Sequence, residues 1–261
     1  KGRTGFAHLF EHMMFQGSAN VKKFDHVKHV EANGGNSNGH TDFDYTNYYQ
    51  TLPSNRVELG LWLESDRMRS LDISEENLKN QQAVVSEEVR VNVLNQPYQF
   101  FEWISLWENA FTNWNNSHNG YGELSEINAA TIEDVRSFFK TYYAPNNAVL
   151  TIVGDVEAND VKKMVEKYFA NIASQPAPAR ADLTEPPQTK EKRVSQTEKL
   201  ANLPALATGY HLPPQNSPDF PAMALLVQIL QRGESSRWYQ RLVKEKELTL
   251  DLSGGLNYFG N

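Results

Sequence analysis

The chain has 261 residues, of which 25 are basic, 32 are acidic and none is cysteine, and its formal net charge is −7. Its length and its 39% apolar content support one or two folded domains and exclude a disordered chain. The acidic balance offers no basic surface for nucleic acid, and no apolar run is long enough for a transmembrane helix. Because cysteine is absent, a bound metal would need His, Asp or Glu ligands.

The periodicity of apolar residues predicts a mixture of helices and strands. The first helix is predicted over residues 5–16, from the N-cap candidate Thr4 to Gly17, with one apolar face. Further helices are predicted at 24–32, 55–70, 75–95, 98–112, 132–141, 158–172, 220–231 and 237–246, and strands at 46–52, 148–153 and 205–212. An apparent strand also precedes residues 258–261.

The distribution of proline predicts the domain organisation. Residues 174–200 carry four prolines and many charged residues without apolar periodicity, which is typical of a linker. We therefore predict a first domain over 1–173 and the start of a second domain over 201–261. The chain does not begin with Met, which indicates a trimmed or partial product.

The pentapeptide His8-Leu9-Phe10-Glu11-His12 contains the clearest chemical pattern. At 100° per residue, the two histidines and Glu11 lie on one stripe of the helix, almost opposite its apolar face. Two imidazoles at positions i and i+4 can reach one metal ion, and a neighbouring Glu can take a proton from water at that ion. The alternative is an ordinary solvated helix face, because so short a pattern also arises by chance.

A catalytic zinc site needs a third protein ligand, and Glu88 is the candidate. On the helix of 75–95, this residue lies on a stripe with Val84, Val85 and Val91, whereas Glu87 points away. A carboxylate in an apolar stripe is costly unless it is paired or bound to a metal. A salt bridge to Arg or Lys is the alternative role of Glu88.

Together these segments resemble the pitrilysin/insulinase family of zinc peptidases, which includes the mitochondrial processing peptidase. The resemblance rests on His8–His12 followed by residues 83–90, and on three further segments in order, 34–41, 143–155 and 233–237. It implies an α+β fold in which helices cover a largely antiparallel sheet. It also implies two similar domains, with the opening strands of the first missing and the second incomplete.

Carried over to this sequence, the family pattern makes His8, His12 and Glu88 the ligands of a zinc cofactor and Glu11 the general base. The implied activity is endopeptidase cleavage of a peptide or unfolded polypeptide. In that pattern an edge strand holds an extended substrate. The four substrate-binding candidates on this strand are Asn38, Gly39, His40 and Thr41.

This sequence departs from the pattern at Gln81, where many relatives carry Glu, and an amide there can still hydrogen-bond behind the ligands. A second hypothesis is a non-catalytic scaffold or binding subunit of the same fold, since the family contains such members. The resemblance is compatible with a homo- or hetero-oligomer. Residues 6–18 resemble exported bacterial members, which favours the periplasm.

Overall fold

The computed structural model describes residues 2–256, so the strand expected before residues 258–261 lies outside the described residues. The chain divides into two compact units, residues 1–207 and 208–261. The predicted boundaries of domain and linker remain a prediction. Within the described part, no helix has both the length and the apolar character needed to span a bilayer.

The first unit contains nine α-helices and two β-strands in its described part. The helices are α1 (Phe6–Met13), α2 (Asp25–Ala32), α3 (Val57–Ser70), α4 (Glu75–Val89), α5 (Leu106–Ala110), α6 (Trp114–Ser117), α7 (Leu124–Asn128), α8 (Ile132–Tyr142) and α9 (Ala158–Phe169), and the strands are β1 (Asn36–Thr41) and β2 (Thr46–Thr51). Short 3₁₀ segments occupy Ser54–Arg56 and Pro145–Asn147, and π-helical turns occupy Arg90–Leu94 and Phe101–Ser105. The protein is therefore mixed α and β, with a two-stranded antiparallel sheet.

The apolar face of α1 forms the centre of the core, as its periodicity predicted. Leu9, Phe10 and Met13 are completely buried, and each such side chain stabilises the fold by about 1.5–3 kcal/mol. The ring of Phe10 stacks on Phe138 of α8 at 4.6 Å between centroids. Burial of one face fixes the rotation of α1 and turns its polar stripe towards α4 and the sheet.

The two strands form a hairpin in which Asn36 pairs with Thr51 and Thr41 with Thr46. Beyond these pairs, the main-chain N–H of Asp42 donates to Tyr45 O, so this pair is hydrogen-bonded. Hydrogen-bonded and non-hydrogen-bonded pairs alternate along an antiparallel ladder. The odd-numbered residues of β1 therefore direct their main-chain groups to the free edge, the side of β1 that has no strand partner among the described residues. Side chains alternate as well: Gly39 and Thr41 face the protein interior, while Asn38 and His40 are exposed.

Two helix caps follow their sequence signatures. The hydroxyl of Ser74 accepts a hydrogen bond from Asn77 N at the start of α4. Thr131 and Asp134 form a reciprocal capping box at the start of α8. The prediction that Thr4 is the N-cap of α1 is wrong. The Thr4 hydroxyl donates to Glu126 Oε2, and Gly5 is the N-cap residue.

The strands predicted at 148–153 and 205–212 are also wrong, because both segments lack ladder partners among the described residues. Val149 and Val153 are 93% and 92% exposed, and Leu206 is 89% exposed. These residues favour strand conformation, but a strand requires a neighbour to accept and donate its main-chain hydrogen bonds. The helix predicted at 98–112 is observed over residues 99–110, with a π-helical turn at Phe101–Ser105 before α5.

The proline-rich segment has no regular secondary structure and lies against the region of α6. The Glu185 carboxylate accepts hydrogen bonds from the main-chain nitrogens of Thr112 and Asn113. The amide side chain of Asn116 donates to Leu183 O. These contacts hold residues 183–185 at defined positions on the first unit.

In the second unit, the described residues contain α10 (Phe220–Gln231) and a π-helical segment, Tyr239–Glu245, at the positions where helices were predicted. Leu225 and Ile229 of α10 are exposed.

Candidate metal centre

The polar stripe of α1 meets α4 at three side chains with metal-binding atoms. His12 Nε2 lies 3.3 Å from His8 Nε2 and 3.2 Å from Glu88 Oε2. His8 Nε2 lies 3.5 Å from Glu88 Oε1. Within the described part of the chain, these residues form the one cluster of three His, Asp or Glu side chains arranged to hold a metal ion.

The spacing of the three donors suits a zinc ion. Zinc bonds to His nitrogen and carboxylate oxygen are about 2.0–2.2 Å long, so adjacent donors of a tetrahedron lie about 3.3–3.5 Å apart. The nearest approaches between His8, His12 and Glu88 are 3.2–3.5 Å, close to this edge length, with His8 nearest to Oε1 and His12 nearest to Oε2 of the carboxylate. Two histidines and one glutamate are also a ligand set that catalytic zinc sites use.

The surroundings of His8 favour a neutral imidazole, which is the form that binds metals. Burial lowers the pKa of His8, and His12 lowers it further, while Glu88 and Glu11 act in the opposite direction. The side chain is only 12% exposed, which rules out the alternative of an ordinary solvated helix face. His8 Nδ1 is buried without a hydrogen-bond partner among the described residues.

Glu88 is less buried than the stripe on α4 suggested. Its side chain is 35% exposed, and Val84 and Val91 on the same stripe are exposed too, whereas Val85 is buried. The stripe therefore runs along the boundary between the core and the surface. Proximity to two imidazoles, rather than deep burial, distinguishes this carboxylate from Glu87.

Glu11 lies on the same stripe of α1 and faces β1. Its Oε2 accepts a hydrogen bond from Thr41 Oγ1 at 2.7 Å. A Cβ atom added to Gly39 would lie 3.3 Å from Glu11 Cγ, so the strand approaches the helix closely where it has no side chain. The two carboxylates thus have different neighbours: Glu88 faces the imidazoles and Glu11 faces a hydroxyl.

The remaining predicted site residues are Asn38 and His40 on β1 and Gln81 on α4. Asn38 and His40 point away from α1, and Asn38 Oδ1 accepts from the main-chain N–H of Gly39 at 2.9 Å. Gln81 is buried, and its amide donates to Asn80 Oδ1 at 2.7 Å rather than to either histidine. Its role behind the ligands stays a prediction.

Three tyrosines near the site were not predicted. Tyr121 presents its ring at a T-shaped angle to His8, with centroids 6.3 Å apart, and Tyr48 and Tyr143 share a hydrogen bond of 2.8 Å beneath the sheet. Period-two alternation could have placed Tyr48 on the face of β2 opposite Gly39. For Tyr121 and Tyr143 the local sequence carries no signal, because distant parts of the chain bring them here.

Comparison with known proteins agrees with this fold. The sequence profile described as "Insulinase (Peptidase family M16)" matches residues 1–116, and the one described as "Peptidase M16 inactive domain" matches residues 129–260. The chain belongs to the pitrilysin/insulinase family of zinc peptidases, and the resemblance seen in the sequence motifs is confirmed.

Among relatives, the zinc protease PqqE of Helicobacter pylori is 28% identical over 249 residues, covering 95% of this chain and 56% of the relative. The crystal structure of a protease from Helicobacter pylori superposes with a TM-score of 0.81 at 26% identity, covering 95% of this chain and 60% of that one. The periplasmic protease PqqL from Escherichia coli gives a TM-score of 0.63 at 18% identity, covering 71% of this chain and 21% of that one, which shows a shared fold.

The chain spans about half the length of the curated relatives it matches. The activity, substrates and partners of the whole protein are therefore matters for proposal.

Proposed function

We propose that this protein is a zinc-dependent endopeptidase in which His8, His12 and Glu88 hold the metal and Glu11 is the general base. The observation that supports it best is the convergence of three side chains, His8, His12 and Glu88, whose nearest donor atoms are 3.2–3.5 Å apart. Zinc in such a site supplies Lewis acidity, which polarises a carbonyl and acidifies a coordinated water. The names of its relatives as zinc proteases support the same cofactor.

The protein side chains perform separate tasks in this proposal. The two imidazoles and Glu88 fix the position of the metal, and burial of His8 keeps its ring neutral for that purpose. Glu11, adjacent to His12, takes a proton from water and later returns it to the leaving amine. Its hydrogen bond to Thr41 leaves the other carboxylate oxygen available for this transfer.

We further propose that the free edge of β1 binds the substrate backbone. The main-chain groups of Ser37, Gly39 and Thr41 point to this edge, and residues 38 and 40 are exposed beside it. Pairing through the main chain makes binding tolerant of peptide sequence. Compared with the unmethylated peptide, a peptide methylated at alternate backbone nitrogens should bind the metal-free protein more weakly. An unmethylated peptide of scrambled sequence should bind as tightly as the original.

The alternative, a non-catalytic scaffold subunit, has one observation in its favour, since the profile matching residues 129–260 is described as an inactive domain. That range does not include His8, His12 or Glu88, all of which lie within residues 1–116, where the Insulinase profile matches. We therefore favour the enzyme. The larger antiparallel sheet, the pair of similar domains and a periplasmic location remain proposals that rest on the family.

Metal analysis and a peptidase assay together test the proposed function. The purified protein should contain about one zinc ion per chain and should cleave an unstructured peptide. The His12→Ala variant should lose both properties, whereas Glu87→Ala, a change on the adjacent solvent-exposed position, should keep both. Stoichiometric zinc without cleavage of any unstructured polypeptide would support the scaffold subunit instead.

A further inference from the structure

The inward face of β1 is built around Glu11. On this face, the backbone of Gly39 closely approaches Glu11 Cγ. The hydroxyl of Thr41 donates a hydrogen bond to Glu11 Oε2. The hydrogen bond from Thr41 Oγ1 to Glu11 Oε2 is 2.7 Å long. Thr41 therefore contacts the proposed base with its side chain, while its main chain faces the free edge.

A series of hydroxyl groups lies behind Thr41. Its cross-strand partner, Thr46, places Oγ1 3.3 Å from Thr41 Oγ1 and is also a near neighbour of the Tyr143 phenol. The phenol oxygen of Tyr143 lies 2.8 Å from that of Tyr48. Each hydroxyl has one hydrogen. Thr41 donates its hydrogen to Glu11, so between the two threonines Thr46 is the donor and Thr41 the acceptor. Tyr48 can donate to Tyr143 or to Phe10 O at 3.4 Å.

Burial keeps both phenols in the protonated form that this series needs. It raises the pKa of Tyr143 to about 12 and that of Tyr48 well above its usual value. Aligned hydrogen bonds of this kind strengthen one another, and the carboxylate is the natural terminus because it only accepts. The Glu11 carboxylate is thus held by the Thr41 hydroxyl, whose own orientation is set by Thr46.

We propose that Thr41 is a positioning residue for Glu11, holding its carboxylate in the orientation that proton transfer requires, and that its side chain does not contact the substrate. This inference rests on the proposed function. It assigns Thr41 a task distinct from those of Asn38 and His40, whose side chains point away from Glu11. The close approach at Gly39 serves the same arrangement, because a larger residue there would press on Glu11.

Two variants at position 41 separate the hydroxyl from the shape of the side chain. Thr41→Val keeps the branched shape and removes the donor, and Thr41→Ser keeps the donor. In the zinc-loaded protein, kcat of Thr41→Val should fall roughly 10- to 100-fold with KM and zinc content unchanged, and Thr41→Ser should restore most of the loss. Thr51→Val, which removes an exposed hydroxyl from β2, should keep the wild-type rate.

Crystal structures of the metal-free variants provide a second measurement that does not depend on activity. The Glu11 carboxylate should leave its position in Thr41→Val and keep it in Thr41→Ser. The proposal is overturned if Glu11 stays in place and kcat changes less than twofold in Thr41→Val, or if both variants lose activity equally. If wild-type protein cleaves no peptide, the proposed function fails, and the crystal structures still decide whether Thr41 positions Glu11.

Discussion

Glu11 and Glu88 carry the same functional group in different surroundings, which suit the different tasks proposed for them. Glu88 faces two imidazole nitrogens at 3.2 and 3.5 Å, which suits a metal ligand. Glu11 accepts a hydrogen bond from Thr41 and faces no ring nitrogen within salt-bridge distance in the described chain. Substitutions at the two positions should therefore have different consequences for zinc.

Glu11→Gln should retain zinc and the fold and lose peptide hydrolysis by roughly 10²- to 10⁴-fold, because an amide cannot accept the proton. His8→Ala should lose zinc as well, since it removes a ligand. Zinc content by atomic absorption and kcat for one peptide make the comparison. Cleavage by purified Glu11→Gln at the wild-type rate would place the base elsewhere.

His26 gives the protein a stability that depends on pH. Burial lowers its pKa to about 3, with Arg67 and His29 adding to the effect. The unfolded chain therefore binds the proton first, and the free energy of unfolding falls as pH drops below about 6.5 and is flat above it. Between about pH 7 and pH 5 the loss should be about 2 kcal/mol.

Urea unfolding of wild type and His26→Gln at both pH values measures this contribution. Between the two pH values, His26→Gln should not show this fall in the free energy of unfolding, whatever its stability at neutral pH. His40→Gln, a change at an exposed histidine, is the control and should follow wild type. Equal pH dependence in wild type and His26→Gln would contradict the assignment.

Among the elements, α1 connects the core to the site. Its buried face packs against α8 through Phe10 and Phe138, and its opposite face carries the histidines. The rotation of α1, and with it the direction of both imidazoles, is therefore set by apolar contacts on the other side. The core and the site share one helix, so the stability of α8 supports the geometry of the ligands.

The capping box of α8 offers a test of how a helix cap contributes to stability. Thr131→Ala removes the oxygen that accepts from Asp134 N, and the variant should lose about 1 kcal/mol of stability. Thr131→Ser retains this oxygen and should stay within a few tenths of a kcal/mol of wild type. Thermal unfolding measures both, and equal losses in the two variants would show that the methyl group, not the cap, matters.

In the first unit, a bound metal would connect α1 to α4, two helices that are far apart in the chain. Ligands that bind only the folded state stabilise it by mass action, by about 2.7 kcal/mol at a free concentration 100-fold above Kd. Zinc should therefore raise the melting temperature of wild type. It should leave Glu88→Ala and His12→Ala almost unchanged, because each lacks one ligand.

Magnesium at the same free concentration serves as the control in these melting experiments. It prefers oxygen ligands in octahedral geometry, and a set of two imidazoles and one carboxylate does not suit it. Equal stabilisation by both metals would indicate nonspecific binding to the acidic surface.

Local periodicity in the sequence was enough to predict the two faces of α1 and the positions of most helices. The spacing of His8 and His12 also placed both imidazoles on one stripe, because the 3.6-residue turn is a property of the helix itself. Strand β2 was predicted at residues 46–52 from its Thr and Tyr residues and the proline that follows. These features depend on neighbours within a few residues, so the sequence alone determines them.

Tertiary structure decided which distant side chains meet. The distances between the histidines and Glu88, and the contact of Thr41 with Glu11, depend on how α1 packs against α4 and β1. The valine-rich segment 148–153 shows the same dependence, since its residues favour a strand but lack a ladder partner in the described chain. Strand pairing and metal sites both require a partner from elsewhere in the chain, and local sequence does not specify where that partner will lie.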